Sequence, residues 1–191
     1  KAVQKLYAEI LPEVYDVTPL KDAVVLCPSR KGVSGVTSLN MMLQKAFGRD
    51  SDKGILSAGF SFCCGDRVMQ TRNDYELSYY ASDGSEGMGV FNGELGIVQE
   101  VDLKEMRLNV MLDDGRFVIY EKEKLEDLDP AYAMTVHKSQ GCEFSVVILV
   151  LPGGPPMLYH RNLLYTAITR AKSKLFVVSD NWVLKRMIHN Q

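Results

Sequence analysis

Hydrophobic positions along the chain follow two different patterns. Near the start, Ala23 to Cys27 is an unbroken apolar run ended by Pro28. Its length and β-branched content predict a strand buried on both faces, as in a parallel sheet. A glycine-bearing loop follows, Ser29-Arg30-Lys31-Gly32-Val33-Ser34-Gly35. Val36, Leu39, Met42, Leu43, Ala46 and Phe47 then recur at helical spacing, which predicts an amphipathic helix over Ser38 to Lys45, closed by Gly48. The same pattern returns late in the chain. Val146 to Leu151 reads as a second buried strand, stopped by Pro152-Gly153-Gly154-Pro155-Pro156. A helix over Asn162 to Ala171, a strand over Lys174 to Val178 and a helix over Trp182 to His189 come next.

Between these parts the pattern changes. Short β-rich runs at Arg67 to Thr71, Gly96 to Val101, Arg107 to Leu112 and Phe117 to Tyr120 alternate with turn signals. Asp113-Asp114-Gly115-Arg116 predicts a hairpin turn between the last two runs, since Asp-Gly tolerates the positive φ such turns need. The stretch from Arg72 to Asn92, with Gly84, Gly87 and Gly89, predicts a mobile loop. Four or five short strands in so short a segment suggest a small antiparallel barrel. The expected organisation is therefore one α/β domain made of residues 1–62 and 129–191, interrupted by a β-barrel insertion over residues 63–128.

Composition narrows the class. The chain has 191 residues, 46% hydrophobic and 24% charged, ordinary values for a folded globular domain. Its 22 Lys and Arg against 24 Asp and Glu leave a formal charge of −2, so no global basic field announces nucleic acid, although local patches suffice for binding. No apolar run approaches the roughly 20 residues that span a bilayer, so no membrane partner is expected. The start, Lys1-Ala2-Val3-Gln4-Lys5, carries no signal-peptide pattern and no initiator Met, and reads as a piece cut from a longer protein. Cys27, Cys63, Cys64 and Cys142 show no C-x-x-C spacing and read as reduced thiols of a cytoplasmic protein. His137, His160 and His189 are scattered, and no structural metal is expected.

Two segments concentrate chemistry. Thr135 to Phe144 places Thr, His, Lys, Ser, Gln and Glu within ten residues just before a buried strand, around a Gly141 that lets backbone approach a ligand. Taken alone it is as well read as a polar surface turn. In Leu163 to Lys172, Leu164, Ala167, Ile168 and Ala171 form a core-facing stripe, and Arg170 stands at the helix end. Such an arginine can simply complement the helix C-terminus, or it can stabilise charge on a transferring phosphoryl group.

Thr135-x-His137-x-x-Gln140-Gly141-x-Glu143-Phe144, followed by Tyr165-Thr166-Ala167-x-Thr169-Arg170-Ala171, resembles motifs V and VI of superfamily 1 DNA helicases, most closely the RecD/TraA type. Cys27-Pro28-Ser29-Arg30-Lys31-Gly32 matches the motif IV position. Gly65 to Gln70 and Phe91 to Gly96 match the runs that begin an SH3-like insertion in that family. The resemblance implies a RecA-like motor domain of the P-loop type, with a parallel sheet interrupted by an SH3-like antiparallel β-barrel. It makes Arg170 the arginine finger of catalysis. Gly141, Glu143, Gln140 and Arg30 then belong to the nucleotide side, with Gln140 coupling the sites, and Thr135 and His137 contact single-stranded DNA. Tyr79, Tyr80 and Phe91 offer faces on which bases could stack.

The implied cofactors are ATP and Mg2+, held mainly by a missing N-terminal RecA-like domain of the same protein, and the implied movement is 5′ to 3′. No G-x-x-x-x-G-K-[ST] phosphate loop occurs, so the fragment lacks Walker A and B and is expected to be inactive alone. Leu112-Asp113-Asp114 imitates a magnesium-binding strand end, but the following Gly115 makes it a hairpin. Gly84 to Gly89 does not follow a strand and open a helix as such a loop must, so it is not read as a nucleotide loop. The rival reading is a non-catalytic nucleic-acid-binding module built on the barrel. A hydrolase using His137 is set aside for want of a G-x-S-x-G elbow.

Overall fold

The computed structural model describes residues 1–32, 34–47, 53–153 and 158–190. The predicted helix stop at Gly48, Val33 of the first glycine loop, and Gly154 to Pro156 of the later stop lie outside the described residues. The chain opens with helical turns that the apolar pattern did not signal: α1 (Ala2–Lys5), a π-helical turn (Leu6–Ile10), α2 (Leu11–Tyr15) and α3 (Pro19–Asp22). Strand β1 (Ala23–Cys27) is buried throughout, as its unbroken apolar run requires. Helix α4 (Val36–Ala46) follows and turns Leu39 and Leu43 into the core. It has no side-chain cap. The carbonyls of Ser29 and Arg30 instead accept from the N–H groups of Val36 and Thr37 at 3.1 and 3.3 Å.

Next come β2 (Ile55–Ser57), β3 (Phe60–Phe62), β4 (Arg67–Gln70), β5 (Asp74–Tyr80), β6 (Glu86–Val90), β7 (Leu95–Asp102), β8 (Arg107–Leu112), β9 (Phe117–Tyr120), a 3-10 turn (Lys122–Asp127) and β10 (Leu128–Pro130). The chain then returns through β11 (Ala133–Thr135), β12 (Phe144–Leu151), α5 (Arg161–Ile168), β13 (Ala171–Ser179) and α6 (Asn181–His189). Among the described residues two compact units result, one from Lys1–Phe47 with Tyr132–Gln191, the other from Gly48–Ala131.

The first unit is built on a four-stranded sheet in the order β11-β1-β12-β13, with every neighbouring pair parallel. Its core gathers Tyr7, Leu11, Val25, Leu39, Leu43, Tyr132 and Ile148, so the opening helices pack on the sheet beside α4. Asn40, 2% exposed, binds the edge strand like a further strand. Its Nδ2 donates to the Ala133 carbonyl at 3.0 Å, and its Oδ1 accepts from the Ala133 N–H at 2.7 Å.

The second unit carries a seven-stranded sheet in the order β10-β4-β7-β8-β9-β5-β6, antiparallel at each pairing, and the separate hairpin β2-β3. The sequence boundaries at residues 62/63 and 128/129 fall inside this unit. Ile55 and Phe62 belong to its hydrophobic core, and Leu128 closes the far side. The stretch expected to be a mobile loop over Arg72 to Asn92 is instead the hairpin β5-β6. Gly87 is not loop punctuation there. It lies on a strand opposite Tyr79, and an added Cβ would collide with the Tyr79 ring. Arg116 fixes the same corner, reaching Glu94 at 2.6 Å, Asp114 at 2.7 Å, the Gly89 carbonyl at 3.1 Å and the Tyr79 face at 4.7 Å. The Asp113 to Arg116 turn forms as expected, with the Leu112 N–H donating to the Arg116 carbonyl at 2.8 Å. Gly96 to Val101 pairs with β4 and β8, in a different sheet from Val146 to Leu151.

Candidate functional site

At the end of β11 the chain folds at once into a tight series of turns. The Lys138 N–H donates to Thr135 Oγ1 at 3.2 Å, and the Ser139 N–H to the Thr135 carbonyl at 3.2 Å. Gln140 N–H donates to the His137 carbonyl at 3.2 Å and Cys142 N–H to the Ser139 carbonyl at 3.0 Å. Ser139 is fully buried, with its hydroxyl donating to the Val136 carbonyl at 2.7 Å. The turn therefore satisfies itself through backbone groups and the Thr135 and Ser139 hydroxyls, and His137, Gln140, Gly141 and Glu143 are left exposed. Gly141 has φ +88 and open space where a side chain would lie. That conformation costs a side chain strain.

Arg170 meets this segment from the other motif. The helix predicted over Asn162 to Ala171 ends at Ile168, with Thr169 as its cap, and Ala171 is already paired with Phe144 in the sheet. The competing interaction is the parallel ladder: Phe144 N–H donates to the Arg170 carbonyl at 2.9 Å. Arg170 thus sits in the turn between α5 and β13. Its Nη1 donates to the Cys142 carbonyl at 3.0 Å, its Nε to the Thr166 carbonyl at 3.3 Å and its Nη2 to Thr169 Oγ1 at 3.3 Å. The Thr166 contact is the helix-end complement that a surface arginine makes. The Cys142 contact, 28 residues back in sequence, is more than that. Beside it Lys172 and Glu143, both largely exposed, pair at 3.2 Å.

The remaining predicted residues stand elsewhere on the sheet. Cys27 registers with Thr135, so Thr135 ends β11 and Arg30 follows β1 at the same, C-terminal edge of the sheet. Glu143 and Arg170 flank the N-terminal ends of β12 and β13. The structure therefore joins Arg170 to the Gly141–Glu143 segment and places Arg30 at the opposite end. Cys27 Sγ donates to the Ser29 carbonyl at 3.3 Å beneath that loop, and burial pushes its thiol up to about 11, which makes it a poor nucleophile. The sequence pattern names Thr169 as a motif position without a role and gives no sign of the Cys142 carbonyl, which acts through a backbone atom. Asp113, the false magnesium ligand, binds Arg67 with both oxygens. Among the described residues no group of three or more His, Cys, Asp or Glu is arranged to hold a metal ion, and no helix is long and apolar enough to cross a membrane.

Charge divides sharply between the units. Gly48–Ala131 carries 9 Lys and Arg against 18 Asp and Glu, a formal −9, while the rest carries 13 against 6, a formal +7. The four described arginines of the acidic unit are all ion-paired within it: Arg67 to Asp113, Arg72 to Glu126 and Asp127, Arg107 to Asp102, Arg116 to Glu94 and Asp114.

Residues 130–178 match the model of the UvrD-like helicase C-terminal domain, and residues 39–111 match that of the ATP-dependent RecD-like DNA helicase SH3 domain. The ATP-dependent RecD2 DNA helicase of Deinococcus radiodurans is 36% identical over 152 residues, covering 80% of this chain and 19% of the relative. The RecBCD enzyme subunit RecD of Mycolicibacterium smegmatis is 31% identical over 167 residues, covering 87% of this chain and 27% of the relative. The chain thus spans about a fifth to a quarter of these curated relatives. The Pif1 helicase from Bacteroides, solved in complex with ADP-AlF3 and ssDNA, superimposes with a TM-score of 0.61 at 19% identity, over 98% of this chain and 47% of that one. At that identity the match speaks for the fold alone.

Proposed function

Because this chain belongs to the RecD-like superfamily 1 DNA helicases, as their C-terminal part, we propose that it supplies the second motor domain of an ATP-dependent helicase acting on single-stranded DNA in the cytoplasm. The observation that carries the proposal is the contact of Arg170 with Cys142. It puts the arginine of one motif on the backbone of the other, at the start of β12. Arg170 has five N–H donors, of which three engage its own chain, so two remain for an incoming phosphate. In this reading Arg170 stabilises the negative charge that builds as ATP is hydrolysed. Gly141 and Glu143 border the nucleotide, with Gln140 linking it to the strand side. Thr135 and His137 touch the DNA backbone, and Arg30 is assigned a second contact to the nucleotide's phosphates.

ATP and Mg2+ fit this chain only from one side. Arg170 and its loop offer cationic and backbone donors, but the sequence holds no G-x-x-x-x-G-K-[ST] phosphate loop to cradle a triphosphate. Their principal ligands belong to an N-terminal RecA-like domain outside this sequence, and the expected polarity is 5′ to 3′. The inserted unit is read as the SH3-like barrel of residues 63–128, with its structural edges at Gly48 and Ala131. The rival reading, a binding module that uses this unit to hold nucleic acid, is disfavoured by its charge of −9 and its internally paired arginines. Phosphate contacts need cations not already committed.

The test is steady-state ATP hydrolysis by the intact protein with single-stranded DNA. Arg170→Ala is expected to lower turnover by about 10³- to 10⁵-fold, while ATP binding and fold persist. Near-normal turnover would remove the arginine-finger assignment.

A further inference from the structure

We infer that Thr169 is a positioning residue for Arg170, holding the guanidinium in one orientation at the start of β13. The inference rests on the helicase reading above and deepens it. Thr169 caps α5, is exposed and belongs to no core cluster, so packing does not explain it. Its hydroxyl is committed on both sides. Oγ1 donates its proton to the Thr166 carbonyl at 2.9 Å, which leaves a lone pair that accepts from Arg170 Nη2 at 3.3 Å. The same Thr166 carbonyl accepts from Arg170 Nε at 3.3 Å. Thr169 and the arginine therefore share an acceptor as well as a bond to each other. With Cys142 holding Nη1, the planar guanidinium is fixed through all three of its nitrogens.

This arrangement matters because an arginine on a flexible stem must be ordered before it can stabilise developing charge. Order present before the reaction does not have to be created at the transition state. The hydroxyl also has a simpler task open to it, satisfying the last carbonyls of α5. A capping role would change stability and leave turnover alone. A positioning role would change turnover and leave stability and DNA affinity alone.

The experiment compares Thr169→Val, which keeps the branched shape and removes the hydroxyl, with Thr169→Ser, which keeps the hydroxyl, in the intact protein. Thr169→Val is expected to lower kcat by roughly 10- to 100-fold, the loss of a hydrogen bond to a charged group. KM and single-strand affinity should change by less than about threefold. Affinity for ADP with aluminium fluoride should fall in proportion to kcat, and affinity for ADP alone should not. Thr169→Ser should return kcat to within about fivefold of the parent, the scale of one net neutral hydrogen bond. A Thr169→Val protein with parental kcat and parental aluminium fluoride affinity would overturn the inference, as would equal losses with Val and Ser. Arg170→Ala separates the two ideas. If it abolishes turnover while Thr169→Val does not, only the positioning role falls. If it leaves turnover intact, the finger assignment falls and takes the positioning role with it.

Discussion

Asn40 offers the sharpest structural test, because one side chain replaces a missing strand. β11 is the edge of the parallel sheet, and the outward N–H and C=O of Ala133 face α4. Both are met by the Asn40 amide, at 2.7 and 3.0 Å, where Asn40 is 2% and Ala133 1% exposed. Asn40→Ala removes two hydrogen bonds and leaves a buried donor and a buried acceptor without partners. Each orphan costs about 1–3 kcal/mol, so the unit should lose about 2–6 kcal/mol. That is a large part of the roughly 5–15 kcal/mol that holds a domain together. Asn40→Asp should be milder at low pH, where a protonated carboxyl can still donate to the Ala133 carbonyl. The ionised form faces that carbonyl unfavourably, so the folded-state pKa of the new carboxyl is raised above its unfolded value of about 3.9. Its residual stabilisation is present below the unfolded pKa and is lost as pH rises through the folded one. Urea denaturation gives the magnitude, and amide exchange at Ala133 gives the location. An Asn40→Ala protein within about 0.5 kcal/mol of the parent, with Ala133 still protected, would refute the clamp.

Two further outcomes follow from charge. Lys124 hydrogen-bonds Asp74 and holds its carboxyl below the usual carboxylate range, while Asp74 raises the Lys124 ammonium. The Asp74 contribution is present above the unfolded carboxylate pKa and lost as pH falls through the lowered folded value. The Lys124 contribution is present below its unfolded pKa and lost as pH rises through the raised one. Lys124→Met should therefore flatten both the acid and the alkaline limbs of an unfolding titration, and unchanged limbs would count against the pair. In single-strand binding, Lys104→Gln with Lys122→Gln in the acidic unit should leave the slope of log affinity against log salt unchanged. The opposite result would move the phosphate contacts to the inserted unit.

What the sequence revealed and what it hid divide along a physical line. β1 and β12 were legible because burial on both faces demands unbroken apolar runs, and the β8-β9 turn because Asp-Gly supplies the positive φ it needs. The two motif segments stand out by family resemblance, and the matched residues 130–178 include both, whereas polar concentration alone leaves the first as readily a surface turn. The β5-β6 hairpin was misread because glycine marks both a loop and a strand position that a neighbouring ring must cover, and only the partner Tyr79 distinguishes them. Arg170 was placed on a helix because the apolar stripe runs through Ala171, yet a ladder bond from Phe144 takes Ala171 into the sheet. The joint between the two motifs was hidden for a stronger reason. Cys142 contributes a carbonyl, Thr166 another, and Ser139 an N–H and a carbonyl, groups that every non-proline residue carries. Side-chain pattern can nominate an arginine as a finger. Its guanidinium meets the Cys142 and Thr166 carbonyls and the Thr169 hydroxyl, and the parallel pairing of β12 with β13 brings the Cys142 segment beside it. A substitution that slips this register should part Arg170 from the Cys142 carbonyl without touching a residue that either motif names.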